Sequence, residues 1–172
     1  MPIPQVTRLF YTVLAIVSLS AFTPKAPVPS HIILSSHGDR SDVFAYRSPA
    51  MEDEILRLVN AHRRSIRLAP LRMNAFESGV AARHSRDMAT GRTPFGHEGF
   101  KDRMNTIRKK IGGIHVTAEN VASGQMSARE VVDGWLHSPG HRRNIEGNFT
   151  LTGIGLARDR RGMIYFTQVF TR

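Results

Sequence analysis

The chain has 172 residues, 41% of them hydrophobic and 22% charged, which is enough apolar material for one packed domain and too much for a globally disordered chain. Lys and Arg number 24 against 14 Asp and Glu, a formal net charge of +10 that arginine mostly supplies. Cysteine is absent, which excludes a disulfide framework, a thiolate nucleophile, a Cys-ligated zinc site and a cysteine-linked lipid anchor.

Arg8 precedes the mostly apolar run Leu9–Phe22. The run is shorter than the roughly 20 residues a membrane-spanning helix needs, and it suits the apolar core of an export signal, with small residues Ser18, Ser20 and Ala21 at its end. Residues 1–22 therefore read as a signal peptide or N-terminal anchor. Residues 23–48 hold Pro24, Pro27 and Pro29 among polar turn formers and read as a linker.

Residues 49–172 carry the periodic pattern of a folded domain. Ser48-Pro49 is a helix start, and Ile55, Leu58, Val59 and Ile66 recur at helical spacing, with Arg57, Arg63, Arg64 and Arg67 elsewhere on the wheel. Asn74 to Glu77 has the capping-box pattern and opens a helix to about Ala89, with Val80, Ala81, His84 and Met88 on its apolar face. Phe100, Met104, Ile107 and Ile111 mark a third helix, ended by Gly112-Gly113. Ser127 to Glu130 is a second capping box. It opens a helix through Val131, Val132 and Trp135 that stops at Ser138-Pro139-Gly140. Strands are predicted at Ile114–Val121, Leu151–Ala157 and Met163–Phe170, the last two joined by a polar turn from Arg158 to Gly162. Strands apolar on both faces need cover on both sides. The expected architecture is α+β, a three-layer α-β-α sandwich with a small, mainly antiparallel sheet.

In order along the chain stand LRLVNAHRRSIRLAPLRMN (56–74), AARHSRDMA (81–89), FGHEG (95–99), AENVASG (118–124), VVDGWLHSPGHRRNI (131–145), TGIGLA (152–157) and YFTQVF (165–170). Together they resemble the CAP superfamily of cysteine-rich secretory proteins, antigen-5 allergens and pathogenesis-related class 1 proteins, most of all its cysteine-free bacterial branch of SCP-like extracellular proteins. The resemblance implies an α-β-α sandwich over about residues 50–172. It also implies a cleft lined in plant and animal members by two histidines and two acids. His97 and Glu119 match one of each. The other two positions are Ser138 and Tyr165, so the tetrad is half present, while the bacterial Ser138-Pro139-Gly140-His141-Arg142 motif is complete.

The candidate cleft residues are thus His97, Glu119, His141 and His84. A buried Glu119 needs a donor, which His97 can supply. His141 reads equally as a helix-cap residue, and His84 as a core histidine. Asn144 is a candidate loop anchor through side-chain-to-backbone bonds. His62, His115 and His137 have no support as ligands, and Trp135 reads as core. The resemblance implies an exported, non-catalytic module that binds a lipid, sterol or peptide. No His-Glu-x-x-His motif, Gly-x-Ser-x-Gly elbow or cysteine nucleophile opposes this. The alternative is a hydrolase, in zinc-dependent or metal-free form, with His97 and Glu119 as catalytic candidates and Ser123, Ser127 or Ser138 as nucleophile. No cofactor is required on this reading. At most a weak zinc site on His97 and His141 is expected. The scattered basic residues suit attraction to an anionic cell-envelope surface, not specific nucleic-acid recognition. The chain is expected to be secreted or held at the cell envelope, as a monomer.

Overall fold

The computed structural model describes residues 48–172. The expected leader or anchor over 1–22, and the expected linker apart from Ser48, lie outside the described residues. The elements in chain order are α1 (Pro49–Ser65), β1 (Arg72–Met73), α2 (Ala75–Ala89), α3 (Phe100–Ile111), β2 (Thr117–Gly124), α4 (Ala128–His137), α5 (Pro139–Ile145), β3 (Leu151–Arg158) and β4 (Ile164–Thr171).

The sheet runs β1-β3-β4-β2. β3 and β4 form an antiparallel hairpin that pairs Gly155 with Thr167, and β2 lies antiparallel on the outer side of β4, with Glu119 opposite Val169. β1 pairs in parallel with β3, so the sheet is mixed and mainly antiparallel. Alternation along the strands sends residues to two cores. On one face Ile154, Leu156, Phe166 and Phe170 pack against Ile55 and Val59 of α1 and Val131, Val132 and Trp135 of α4. On the other face Val169 joins Val80 of α2 with Met104 and Ile107 of α3. The expected three layers are present.

Two glycines of TGIGLA set the close approach of α2. A Cβ on Gly153 would lie 2.2 Å from the Glu77 carbonyl carbon, and one on Gly155 would lie 2.1 Å from the Ala82 nitrogen. Only the absence of a side chain there lets the helix lie on the strand. Ser85 Oγ then donates to the Gly155 carbonyl at 2.9 Å, and Ser78 Oγ accepts from the Ile154 N–H at 3.2 Å.

The outer edge of β2 is covered rather than left open. The Trp135 indole N–H donates to the Val121 carbonyl at 3.3 Å, and the Asn144 amide donates to the Glu119 carbonyl at 3.2 Å. These side chains satisfy backbone groups that an edge strand otherwise presents to other chains.

Several sequence expectations need correction. Ile66 is not on the core stripe: α1 ends at Ser65 and Ile66 is an exposed cap, followed by Arg67 at φ 63°. Arg63, placed on the polar side, is 2% exposed. Its guanidinium donates to the carbonyls of Ala69, Ile145 and Gly147 at 2.6–2.9 Å, because the chain turns after α1 and α5 leave buried acceptors that need a donor. Ser48 makes no side-chain cap. Asn74 does cap α2, but Glu77 does not complete a box: it is buried and accepts from Thr171. The Ser127–Glu130 box forms in full. β2 begins three residues later than expected and runs on to Gly124, since His115 and Val116 bond only to the last residue, Arg172. α4 does stop at His137 with Ser138 as its C-cap, as expected, but a further helix follows at once: Pro139 occupies the first position of α5, where its missing N–H costs nothing. The two-residue β1 carried no periodic signal.

Candidate functional site

The loop between α2 and α3 turns on glycines. Gly96 has φ 140° and Gly99 φ 72°, and Gly99 caps α3. His97 sits between them, and its carbonyl accepts from the Phe100 N–H at 3.0 Å. Glu119, the third residue of β2, meets this loop from the sheet. His97 Nδ1 lies 2.9 Å from Glu119 Oε1. The carboxylate is otherwise held by Arg103 of α3, whose Nε donates to Oε2 at 2.9 Å and Nη2 to Oε1 at 2.7 Å. The remaining Arg103 nitrogen donates to the Glu98 carbonyl. Side-chain exposure is 1% for Glu119 and 51% for His97, so the pair has a buried acid and an accessible imidazole.

His84 reaches the same cluster from α2. Its Nε2 lies 2.8 Å from the Gly96 carbonyl and 3.9 Å from Glu119 Oε1. A carbonyl only accepts, so Nε2 carries the proton there. Burial, and then the Arg103 charge, hold His84 below the ordinary histidine range, which keeps it neutral in this role. Of the two roles open to His84, the structure places it as a buried tether for the His97 loop. His141, on α5, is close enough to feel His97: burial and then the His97 charge hold it below the usual range. The Asn120 amide donates to the His141 carbonyl at 3.1 Å, and Asn144 donates to Asn120 Oδ1 at 2.8 Å. Asn144 thereby ties α5 to β2, as expected of a loop anchor.

The other candidates lie apart. Tyr165 faces Ser123 across the sheet and packs on Phe95 with centroids 6.4 Å apart. Ser138 is the N-cap residue of α5, and the Ser127 hydroxyl is used in its capping box. Ser123 is four residues along β2 from Glu119, about 13 Å at strand rise. No serine hydroxyl among the described residues is bonded to His97. His62 joins Glu146 at 2.8 Å and His137 joins the Asp133 carbonyl at 2.7 Å.

Sequence reasoning missed Arg103. It stands beside Met104 at the border of the apolar stripe of α3, and His97 alone already offers Glu119 a donor. A search for a cation to offset a buried acid would have pointed to it.

Glu119 is not placed to join a zinc site. Both Glu119 oxygens face the Arg103 fork, and Nδ1 of His97 faces Glu119. Among the described residues no group of three or more His, Cys, Asp or Glu side chains is placed to hold a metal. Around the pair the surface has a depression of about 290 Å³ bounded by His97, Phe100, Glu119 and Asn144.

Residues 56–170 match the model of the cysteine-rich secretory protein family, CAP. The uncharacterized protein YkwD of Bacillus subtilis (strain 168) is 34% identical over 134 residues, 76% of this chain and 50% of that protein. The uncharacterized membrane protein YlbC of the same strain is 32% identical over 126 residues, 70% of this chain and 34% of that protein. The chain thus spans half or less of the curated relatives it matches. Among solved structures, an extracellular SCP-domain protein of Bacillus anthracis superposes with a TM-score of 0.64 at 28% identity, covering 80% of this chain and 45% of that one. An outer surface protein of Borrelia burgdorferi gives a TM-score of 0.62 at 21% identity, covering 72% of this chain and 93% of that one, a likeness of fold. No helix among the described residues is long and apolar enough to cross a membrane. The chain belongs to the CAP family, in its bacterial SCP-like branch of extracellular type.

Proposed function

We propose that this is an exported, non-catalytic binding module whose cleft at His97 and Glu119 receives an apolar, lipid or peptide ligand. The observation that carries the reading is the state of Glu119: it is buried, and both its oxygens are engaged by Arg103 and His97. A general base must be within reach of the proton it takes. Glu119 is 1% exposed with both oxygens turned to Arg103 and His97, so it is out of reach of a bound ligand; it holds His97 in place. The accessible group is the imidazole, a single polar contact point beside Phe100, in keeping with a site that orients a ligand more than it transforms one. Export is supported by the apolar run after Arg8 and by the extracellular SCP-domain protein among the structural neighbours.

One observation favours the hydrolase alternative: a histidine oriented by a buried carboxylate is the base-and-orienter half of a catalytic triad. The missing half is a hydroxyl next to that histidine. Native mass spectrometry of the protein as isolated, with zinc titration of wild type and His97→Ala, tests the reading. A co-purified small molecule lost in His97→Ala, with no zinc affinity separating the two proteins, is the expected result. Zinc bound more tightly by wild type than by His97→Ala, together with ester or peptide hydrolysis lost in that variant, would replace the binding module with the hydrolase.

A further inference from the structure

Beside the Glu119 cluster, α2 and α3 leave a groove of about 440 Å³, a size that suits a small ligand. Phe76, Gly79 and Val80 of α2 form its apolar part, and His84 and Arg103 close the end next to Glu119. Exposed Arg83 on α2 and exposed Asp102 on α3 line the same groove. Neither has an ion-pair partner among the described residues, although other cations of this face do: Arg92 pairs with Asp87 at 2.6 Å and Arg103 with Glu119.

Gly79 lies on the floor of this groove. It lies inside α2, where glycine is a poor helix former. Its φ is not positive, and a Cβ there would meet nothing within 4 Å. Gly153 and Gly155 are glycine because α2 would collide with any side chain, and Gly99 because the backbone is left-handed. None of these reasons applies to Gly79 or to Gly134 of α4, but of the two only Gly79 borders this groove. The space its side chain would take is the groove itself.

We propose that this groove binds a short zwitterionic peptide with an apolar side chain. The side chain lies over Gly79 and Phe76, the carboxylate meets the Arg83 guanidinium, and the ammonium group meets Asp102. Asp87 of α2 and Arg103 of α3 also line the groove but are paired with Arg92 and Glu119, so the charges left over are Arg83 on one wall and Asp102 on the other, which match a ligand that carries both signs; charged residues along the rim disfavour a long alkyl chain laid between them. The site is distinct from the depression at His97, so it stands or falls apart from the reading above.

The test is an amide NMR titration of the full chain with the tripeptide Ala-Leu-Ala and with its N-acetylated, C-amidated form. Shifts at Gly79, Arg83 and Asp102 are expected, with the blocked peptide binding more weakly. Gly79→Leu projects into the groove from a position where a Cβ meets nothing, and should raise Kd about tenfold while leaving the unfolding midpoint no lower. Arg83→Ala and Asp102→Asn should each raise it by about threefold or more. No shifts at the groove, or unchanged affinity in Gly79→Leu, overturns the proposal. Shifts at His97 that vanish in His97→Ala but persist in Gly79→Leu place the peptide in the cleft, ending the groove proposal and leaving the binding-module reading intact. Monomeric dodecylphosphocholine that shifts the groove amides where the peptide does not also overturns it, in favour of an amphiphile.

Discussion

Glu77 and Glu119 are both buried acids on the α2 side of the sheet, and their surroundings differ completely. Glu77 is fully buried under α2 with one hydroxyl donor, Thr171 Oγ1 at 2.7 Å; its second oxygen has no hydrogen-bond partner. Burial pushes its carboxyl up to about 6, with the Thr171 bond opposing. Glu119 meets a guanidinium fork and an imidazole. The first acid is accommodated toward its neutral form and belongs to the seam where helix meets sheet. The second is accommodated by a cation and holds a half-exposed histidine at the surface. Burial of an acid is therefore no signature of a site; what surrounds it decides.

The largest expected effect tests the cation. Arg103→Ala leaves Glu119 buried with His97 alone, and should cost about 3–5 kcal/mol in urea unfolding at neutral pH, the range for breaking a buried pair from one side. A loss below about 1 kcal/mol would mean that the fork does not offset the burial of Glu119.

Glu77→Gln should move stability the other way. The folded-state value of Glu77 is raised from 4.5 to about 6, so its contribution is fully present below about 4.5 and is lost as pH rises through 6. The glutamine variant removes that slope. Above pH 6 it should be more stable than wild type by up to about 2 kcal/mol, and below 4.5 no more stable, in unfolding curves at the two pH values. A variant less stable than wild type at pH 7.5 would show that ionised Glu77 has a partner beyond Thr171.

The sequence made the sandwich legible because helical period, capping pairs and two-sided apolar strands each left a local signal. α5 was hidden because proline marks both ends and beginnings of helices, and Ser138-Pro139-Gly140 has the composition of an end. Glu77 was hidden because a glutamate three residues after Asn74 looks like a capping partner; only the contact with β4 shows it turned inward. His97 and Glu119 were legible through motifs. Arg103 was not, since a cation at the border of a helical stripe looks solvated until the facing strand supplies an acid. The role of the Gly-x-Gly in β3 also needed the third dimension, because the backbone it makes room for lies some 75 residues earlier in the chain.

His97→Ala is the smallest effect and the sharpest separation of holding from being held. The imidazole is half exposed, and without it Glu119 keeps both bonds from Arg103. The loss in stability should stay below about 1 kcal/mol, the scale of one partly solvated hydrogen bond. The readout that a bystander would not move is His141. Burial is the first cause of its lowered value and the His97 charge the second. Removing His97 takes away only the second cause, so in an NMR titration of the variant His141 should titrate at higher pH than in wild type, yet still below an ordinary histidine. An unchanged His141 would mean that the two imidazoles do not share one electrostatic environment, and the cleft would then consist of His97 and Glu119 alone.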